Sequence, residues 1–279
     1  MLVAVADSDS EDKCQASSDM ERHPVVRHAE KAGPYLRFCV LLVDPLISLA
    51  FKRRWRRIER IPRTGPAIIA INHISYADPF VVARFVWDSG RLPRFLAKAS
   101  LFRIPVAGRI ISGAGQIPVY RGTADAAAAL RGAVEALQRG EIVLIYPEGT
   151  VTRDPDFWPM QAKTGIARLA LLVPGVPVIP VGQWGAQNFL DFYAKKFRPL
   201  PRKTVSVAAG DPVDLSDFAG AEPTAPKLRQ MTDRIMVAVR DQVAELRGES
   251  PPTDFYHRPE GAGASPKDTQ GNEDSRESA

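Results

Sequence analysis

Between residues 64 and 247 the apolar positions alternate between two rhythms. Short runs rich in Ile and Val, closed by Asn, Gly or Pro, predict buried strands near 67–71, 94–97, 116–120, 142–146, 177–181 and 205–208. Longer stretches with helical spacing between them predict helices over 79–88, 100–112, 123–139, 164–173 and 224–247. The helix over 123–139 has the clearest ends, because it is alanine-rich and Gly140 stands where a helix stops. Strand and helix in alternation predict an α/β fold: one domain with a central, mostly parallel or mixed sheet covered by helices on both faces.

The flanks do not share this rhythm. Residues 1–33 and 248–279 are polar, mixed in charge and aperiodic, and read as tails. The amino-terminal apolar run is followed at once by Asp7, Asp9, Glu11 and Asp12, so it lacks the layout of a signal peptide. Residues 34–63 form a third pattern. An apolar stretch broken by Arg37 and Asp44 is too short to span a bilayer, and it runs into Lys52, Arg53, Arg54, Trp55, Arg56 and Arg57. Apolar helix, cations and an indole in that order predict a membrane-interfacial helix with a basic, membrane-binding cluster. The alternative is a helix packed on its own domain with a solvated charged face. The expected organisation is therefore tail 1–33, interfacial segment 34–63, catalytic domain 64–247 and tail 248–279.

Composition sharpens this. The 279 residues are 45% hydrophobic and 25% charged, ordinary for a globular chain with a sizeable core. The formal charge is +5, yet residues 52–63 alone carry seven cations and one acid, so the rest is close to neutral. Basicity this local argues against a nucleic-acid partner. Two cysteines, Cys14 and Cys39, do not make a disulfide framework.

The residues able to do chemistry gather at strand ends. The strand over 67–71 runs into Asn72-His73, and Asp78-Pro79 follows as a helix start. A spacing of five shares no helical face, so only a turn brings Asp78 to His73, the one histidine outside the tails. A histidine so placed is either a satisfied core residue or a general base. Ser75, close by, lacks the strained G-x-S-x-G elbow and reads as a hydroxyl bonding its own turn. A metal site is not expected, for want of ligands. Arg121 ends the strand over 116–120, a position suited to a forked pair with phosphate or carboxylate, or to a plain surface arginine. Glu148 and Gly149 end the strand over 142–146, with Arg153 and Lys163 beyond, and Lys98 stands on a strand of its own. Strand ends on one rim of an α/β sheet are where ligands bind.

Four blocks in order resemble the glycerolipid acyltransferase family: Asn72-His73 to Asp78 (N-H-x-x-x-x-D), Gly115 to Arg121 (G-x-I-x-V-x-R), Tyr146 to Thr150 (Y-P-E-G-T) and Val176 to Val181 (V-P-V-x-P-V). Judged by block order and spacing, the resemblance covers about residues 35–245. The resemblance implies an enzyme with His73 and Asp78 as catalytic dyad. It makes Arg121, Glu148 and Gly149 the binding residues for an acceptor's glycerol phosphate, and Lys98 and Arg153, cations that converge if the rim is shared, are expected beside them. No metal or cofactor is implied; the partners are an acyl-CoA or acyl carrier protein thioester and a lysophospholipid such as 1-acylglycerol 3-phosphate, met at an anionic membrane surface on the cytoplasmic face. One position departs. Where the family continues E-G-T-R-S, this chain has Val151-Thr152-Arg153, so the arginine has moved by two places or lost its role. Other acceptors, such as glycerol 3-phosphate, or a non-catalytic lipid-surface protein on the same fold, are the competing readings.

Overall fold

The computed structural model describes residues 30–120, 126–191, 194, 196–220 and 222–257. In chain order these form α1 (Pro34–Ala50), β1 (Phe51–Arg56), β2 (Ala67–Ile71), α2 (Asp78–Asp88) and β3 (Leu96–Lys98). Next come α3 (Ala107–Gly113), β4 (Ile117–Val119), α4 (Ala126–Gln138), β5 (Ile142–Ile145) and α5 (Gly165–Leu172). The last are β6 (Val178–Trp184), β7 (Leu190–Asp191), β8 (Lys196–Phe197), β9 (Lys203–Ala209) and α6 (Ala225–Arg247).

Five strands make the main sheet in the order β1-β9-β6-β2-β5, all neighbours parallel except the antiparallel pair β6 and β9. The sheet is thus mixed, as expected. A small parallel pair, β3 and β4, hangs on its β5 edge through a bridge between Phe95 and Leu144. Every residue of β2 is buried, and its alternation feeds two cores. Ile68 and Ala70 join Val143, Ile145 and Val178 against α4, α5 and α6. Ala67, Ile69 and Ile71 join Leu144, Ile179, Val205 and Val207 against α2 and Ile47 of α1. Burial on both faces is why these strands read as continuous apolar runs, and each large side chain so buried is worth about 1.5–3 kcal/mol. The Asn72-to-Asp78 turn grows from the carboxyl end of this central, doubly covered strand.

Three differences from the sequence reading have local causes. First, the basic cluster Lys52 to Arg56 is not an interfacial extension of a helix; it lies within β1, paired residue by residue with β9 from Phe51↔Lys203 to Arg56↔Ala208. Its period of two was masked by cations at both phases: Phe51, Arg53 and Trp55 turn inward while Lys52, Arg54 and Arg56 are exposed. Trp55 lies edge-on to Phe85, 5.5 Å between centroids, and its Nε1–H donates to Asp88 Oδ2 at 2.9 Å. Arg53 pairs with Asp44 at 3.5 Å and Arg56 with Glu245 at 3.6 Å. Arg57 donates to both oxygens of Glu245 and to Ala209 O. The sheet therefore begins upstream of residue 64. Second, the helix over 100–112 breaks into a 3₁₀ turn (Ala99–Arg103) and α3, with Pro105 between them and Val106 in left-handed backbone at φ 64°. Third, the strand expected over 94–97 is shifted to Leu96–Lys98.

Candidate active site

After Ile71 the chain leaves the sheet through Asn72-His73 and re-enters regular structure at Asp78. Asp78 is the first helical residue rather than the cap, and its carboxylate points back into the turn. Its Oδ2 accepts from Ile74 N–H at 2.6 Å and Ser75 N–H at 2.8 Å, and lies 2.8 Å from His73 Nδ1. The turn that the five-residue spacing demanded is thus closed by the carboxylate itself. With Nδ1 committed to Asp78, Nε2 is the ring nitrogen left for a substrate. Burial raises the Asp78 carboxyl above its ordinary value, while His73 and the two backbone N–H groups pull it down. Ser75 donates to Leu190 O at 2.7 Å and accepts from Ala77 N–H at 3.1 Å, so its hydroxyl braces backbone and is no nucleophile.

The main chain of His73 is held from both sides by the loop after β5. Its N–H donates to Glu148 Oε1 at 2.9 Å, and its carbonyl accepts from Thr152 N–H at 2.7 Å. Glu148 Oε2 accepts from Met160 N–H at 3.0 Å. Both oxygens of Glu148 thus hold protein backbone, on a buried side chain, and its carboxyl is pushed up to about 8 chiefly by burial. Geometry places Glu148 behind the histidine as a brace, where the resemblance implied acceptor contact. Asn72 and Gln183 clasp β2 to β6 through three hydrogen bonds of 2.8–3.1 Å.

Tyr146, which carried no role beyond its motif, stacks on His73 with ring centroids 4.3 Å apart and an interplanar angle of 24°. Burial and the nearby Asp78 carboxylate hold its phenol well above the ordinary value. Three buried polar atoms here lack a hydrogen-bond partner of good geometry: Asp78 Oδ1, Gln183 Oε1 and the Tyr146 hydroxyl. Neither Tyr146 nor Gln183 announces this in the sequence, because their convergence depends on β5, β2 and β6 lying side by side.

His73 and Tyr146 open onto a cavity of about 760 Å³, within the range of small-molecule sites. Its wall is mainly apolar, with Leu36, Val40, Val43 and Ile47 from the inner face of α1, and Phe80 and Trp87 from α2. Lys98, at the end of β3, is exposed and lines it together with Gly149, Thr150 and Val151. Gly149 turns the chain there at φ +74°, a conformation glycine tolerates best. Lys163 lies over this turn; a side chain built on Gly149 would meet its Cε at 3.4 Å and Nζ at 3.6 Å. Val151, standing where the resemblance expects arginine, is buried. Arg153 is half-buried and does not line the cavity. Arg121 lies outside the described residues. Among the described residues no group of three or more His, Cys, Asp or Glu could hold a metal ion.

Residues 52–184 match the family model described as Acyltransferase. The chain is 33% identical over 132 residues to a 1-acyl-sn-glycerol-3-phosphate acyltransferase of Borreliella burgdorferi, covering 47% of this chain and 50% of that protein. It is 23% identical over 216 residues to the 1-acyl-sn-glycerol-3-phosphate acyltransferase of Bacillus subtilis, covering 76% of this chain and 97% of that protein. Against the Borreliella protein and a chloroplastic relative from Arabidopsis thaliana, the chain spans half or less of the relative's length. In fold it is similar to the crystal structure of the 1-acyl-sn-glycerophosphate acyltransferase of Thermotoga maritima, with a TM-score of 0.54, 23% identity, and coverage of 78% of this chain and 83% of that one.

Proposed function

We propose that this chain, which carries an acyltransferase-family domain over residues 52–184, is an enzyme of glycerolipid synthesis. It moves a fatty acyl group from an acyl-CoA or acyl carrier protein thioester to the free hydroxyl of a 1-acylglycerol 3-phosphate, giving phosphatidic acid. The observation that carries this is His73, paired through Nδ1 with Asp78 and opening onto an apolar cavity with a cation, Lys98, on its wall.

The chemistry follows from that placement. A thioester is already a reactive acyl donor, so the step to be catalysed is deprotonation of the acceptor hydroxyl beside the carbonyl. His73 Nε2 takes that proton as the oxygen attacks the thioester carbon, a role worth roughly 10² to 10⁴-fold. Asp78 fixes the tautomer and stabilises the imidazolium. As the C–S bond breaks, the imidazolium returns its proton to the leaving thiolate, and no covalent enzyme intermediate is needed. The acyl chain takes the apolar cavity under α1, and Lys98 faces the acceptor phosphate.

The outer face of α1 exposes Phe38, Leu41, Leu42, Leu46 and Leu49, too much apolar surface on one helix for a purely solvated face, and we assign it to the cytoplasmic membrane surface. No described helix is long and apolar enough to cross a membrane. A second acceptor class is another lysophospholipid or glycerol 3-phosphate; the observation behind it is that buried Val151 puts no charge where a phosphate-binding arginine is expected, which loosens the tie to 1-acylglycerol 3-phosphate without selecting among the others. One labelled acyl-CoA offered to a panel of acceptors, with the lipid products identified by mass, separates the two. His73→Ala should lose at least 10²-fold in acyl transfer; retention of more than about a tenth of the activity excludes His73 as the base.

A further inference from the structure

The cations that pattern alone placed at the membrane are in good part engaged within the fold, and a different segment offers the same chemistry outward. Lys196 to Lys203 holds four cations, Lys196, Arg198, Arg202 and Lys203, and no acid. Residues 196–202 are all exposed, with Phe197 at 62% and Leu200 at 73%. One exposed apolar side chain is ordinary. An aromatic and a leucine three residues apart among four cations match an interfacial anchor, apolar groups entering below the headgroups and cations pairing with them.

This arm is fastened to α1. Arg202 donates to Ser48 O at 2.7 Å and Phe51 O at 2.8 Å, taking carbonyls left open where the helix ends. Arg198 N–H donates to Phe189 O at 2.8 Å. Phe197 stands edge-on to Phe189, and Phe189 packs on Phe51, with centroids 5.0 and 4.7 Å apart. On β7, the strand that pairs with the start of the arm, Leu190 O accepts from Ser75, two residues from His73. The arm and the outer face of α1 are thus joined at one corner, next to the turn that carries the chemistry.

We propose that Lys196, Phe197, Arg198 and Leu200 form a second docking element for an anionic lipid bilayer, acting with the outer face of α1. Arg202 holds the arm to the end of α1 and Asp191 is the register partner of Lys196, yet cations still outnumber acids over 190–203, and that excess beside two exposed apolar side chains favours an anionic bilayer over a protein partner. The proposal rests on the membrane reading given above. Its consequence is orientation: two contacts joined at one corner restrict how the enzyme tilts on the surface, where one helix alone leaves it free to roll.

The test is sedimentation of the full chain with phosphatidylcholine vesicles, with and without phosphatidylglycerol. The wild type should bind the phosphatidylglycerol vesicles, less so as salt rises. Lys196→Glu with Arg198→Glu should lower partitioning onto them by more than about tenfold. Phe197→Ser with Leu200→Ser should lower it by about tenfold or more. Leu42→Ser with Leu46→Ser, in α1, is the companion variant. Arm variants that bind like wild type while the α1 variant is released overturn the arm and leave the membrane reading standing. A wild type that binds no vesicle overturns both. A lipid-free dimer that the arm variants abolish assigns the surface to a second copy and overturns the proposal too. Unchanged thermal unfolding shows that each variant is folded, and Lys196→Gln with Arg198→Gln replaces the charge reversal if it is not.

Discussion

At the scale of single residues, Glu148 is where a motif and its geometry part company. Both of its oxygens accept backbone N–H groups, from His73 and Met160, so the residue shapes the turn that carries His73. Glu148→Gln sets an amide NH₂ against one of those donors and should cost about 1–3 kcal/mol of stability. Kinetically it should lower kcat with little change in the acceptor's KM; a raised KM with kcat intact would restore the acceptor-binding role. The carboxyl also links stability to pH. Its folded value, about 8, lies above the ordinary 4.5, so the folded state holds the proton more tightly. Its contribution is complete below about pH 4.5 and is lost as pH rises through about 8. Denaturant midpoints measured across that window should fall with pH in the wild type and lose that component in Glu148→Gln. Lys98 is the complementary case, a cation on the cavity wall. Lys98→Ala should raise KM for a phosphate-bearing acceptor about tenfold and leave the thioester's KM unchanged. An equal loss with a neutral monoacylglycerol would remove Lys98 from phosphate binding.

At the scale of elements, the basic run expected beside an interfacial helix is a strand of the main sheet, while the helix before it keeps an exposed apolar face. The tryptophan of the basic run is spent inside the fold, its indole N–H on Asp88, which also pairs with Arg84. Trp55→Phe should therefore lower stability by about 1–3 kcal/mol, read from denaturant unfolding, and leave vesicle binding unchanged. Released vesicles would return Trp55 to the membrane interface. The helix keeps its apolar excess on both faces, the inner one walling the cavity and the outer one exposed. β2 and α2 were legible in the sequence because their signals are local: a closed apolar run and Asp-Pro at a helix start. β1 was not legible, because a strand with cations at both phases shows no alternation until a neighbour decides which phase faces in.

At the scale of the whole molecule, the cavity is the feature that no segment contains. It forms where α1, α2 and β3 meet the carboxyl ends of β2 and β5, and it sets a histidine paired with a carboxylate against an apolar chamber. The sequence by itself determined the α/β class, the buried strand leading to Asn72-His73, and the pairing of His73 with Asp78, since each depends on patterning or on a spacing that only one turn can close. Tertiary structure alone decided that Glu148 faces inward, that Tyr146 stacks on His73, that β1 joins the sheet, and that Phe197 and Leu200 are left outside beside α1. Those outcomes depend on which strands become neighbours and on what remains uncovered once they have, and neither is encoded within any one stretch of chain.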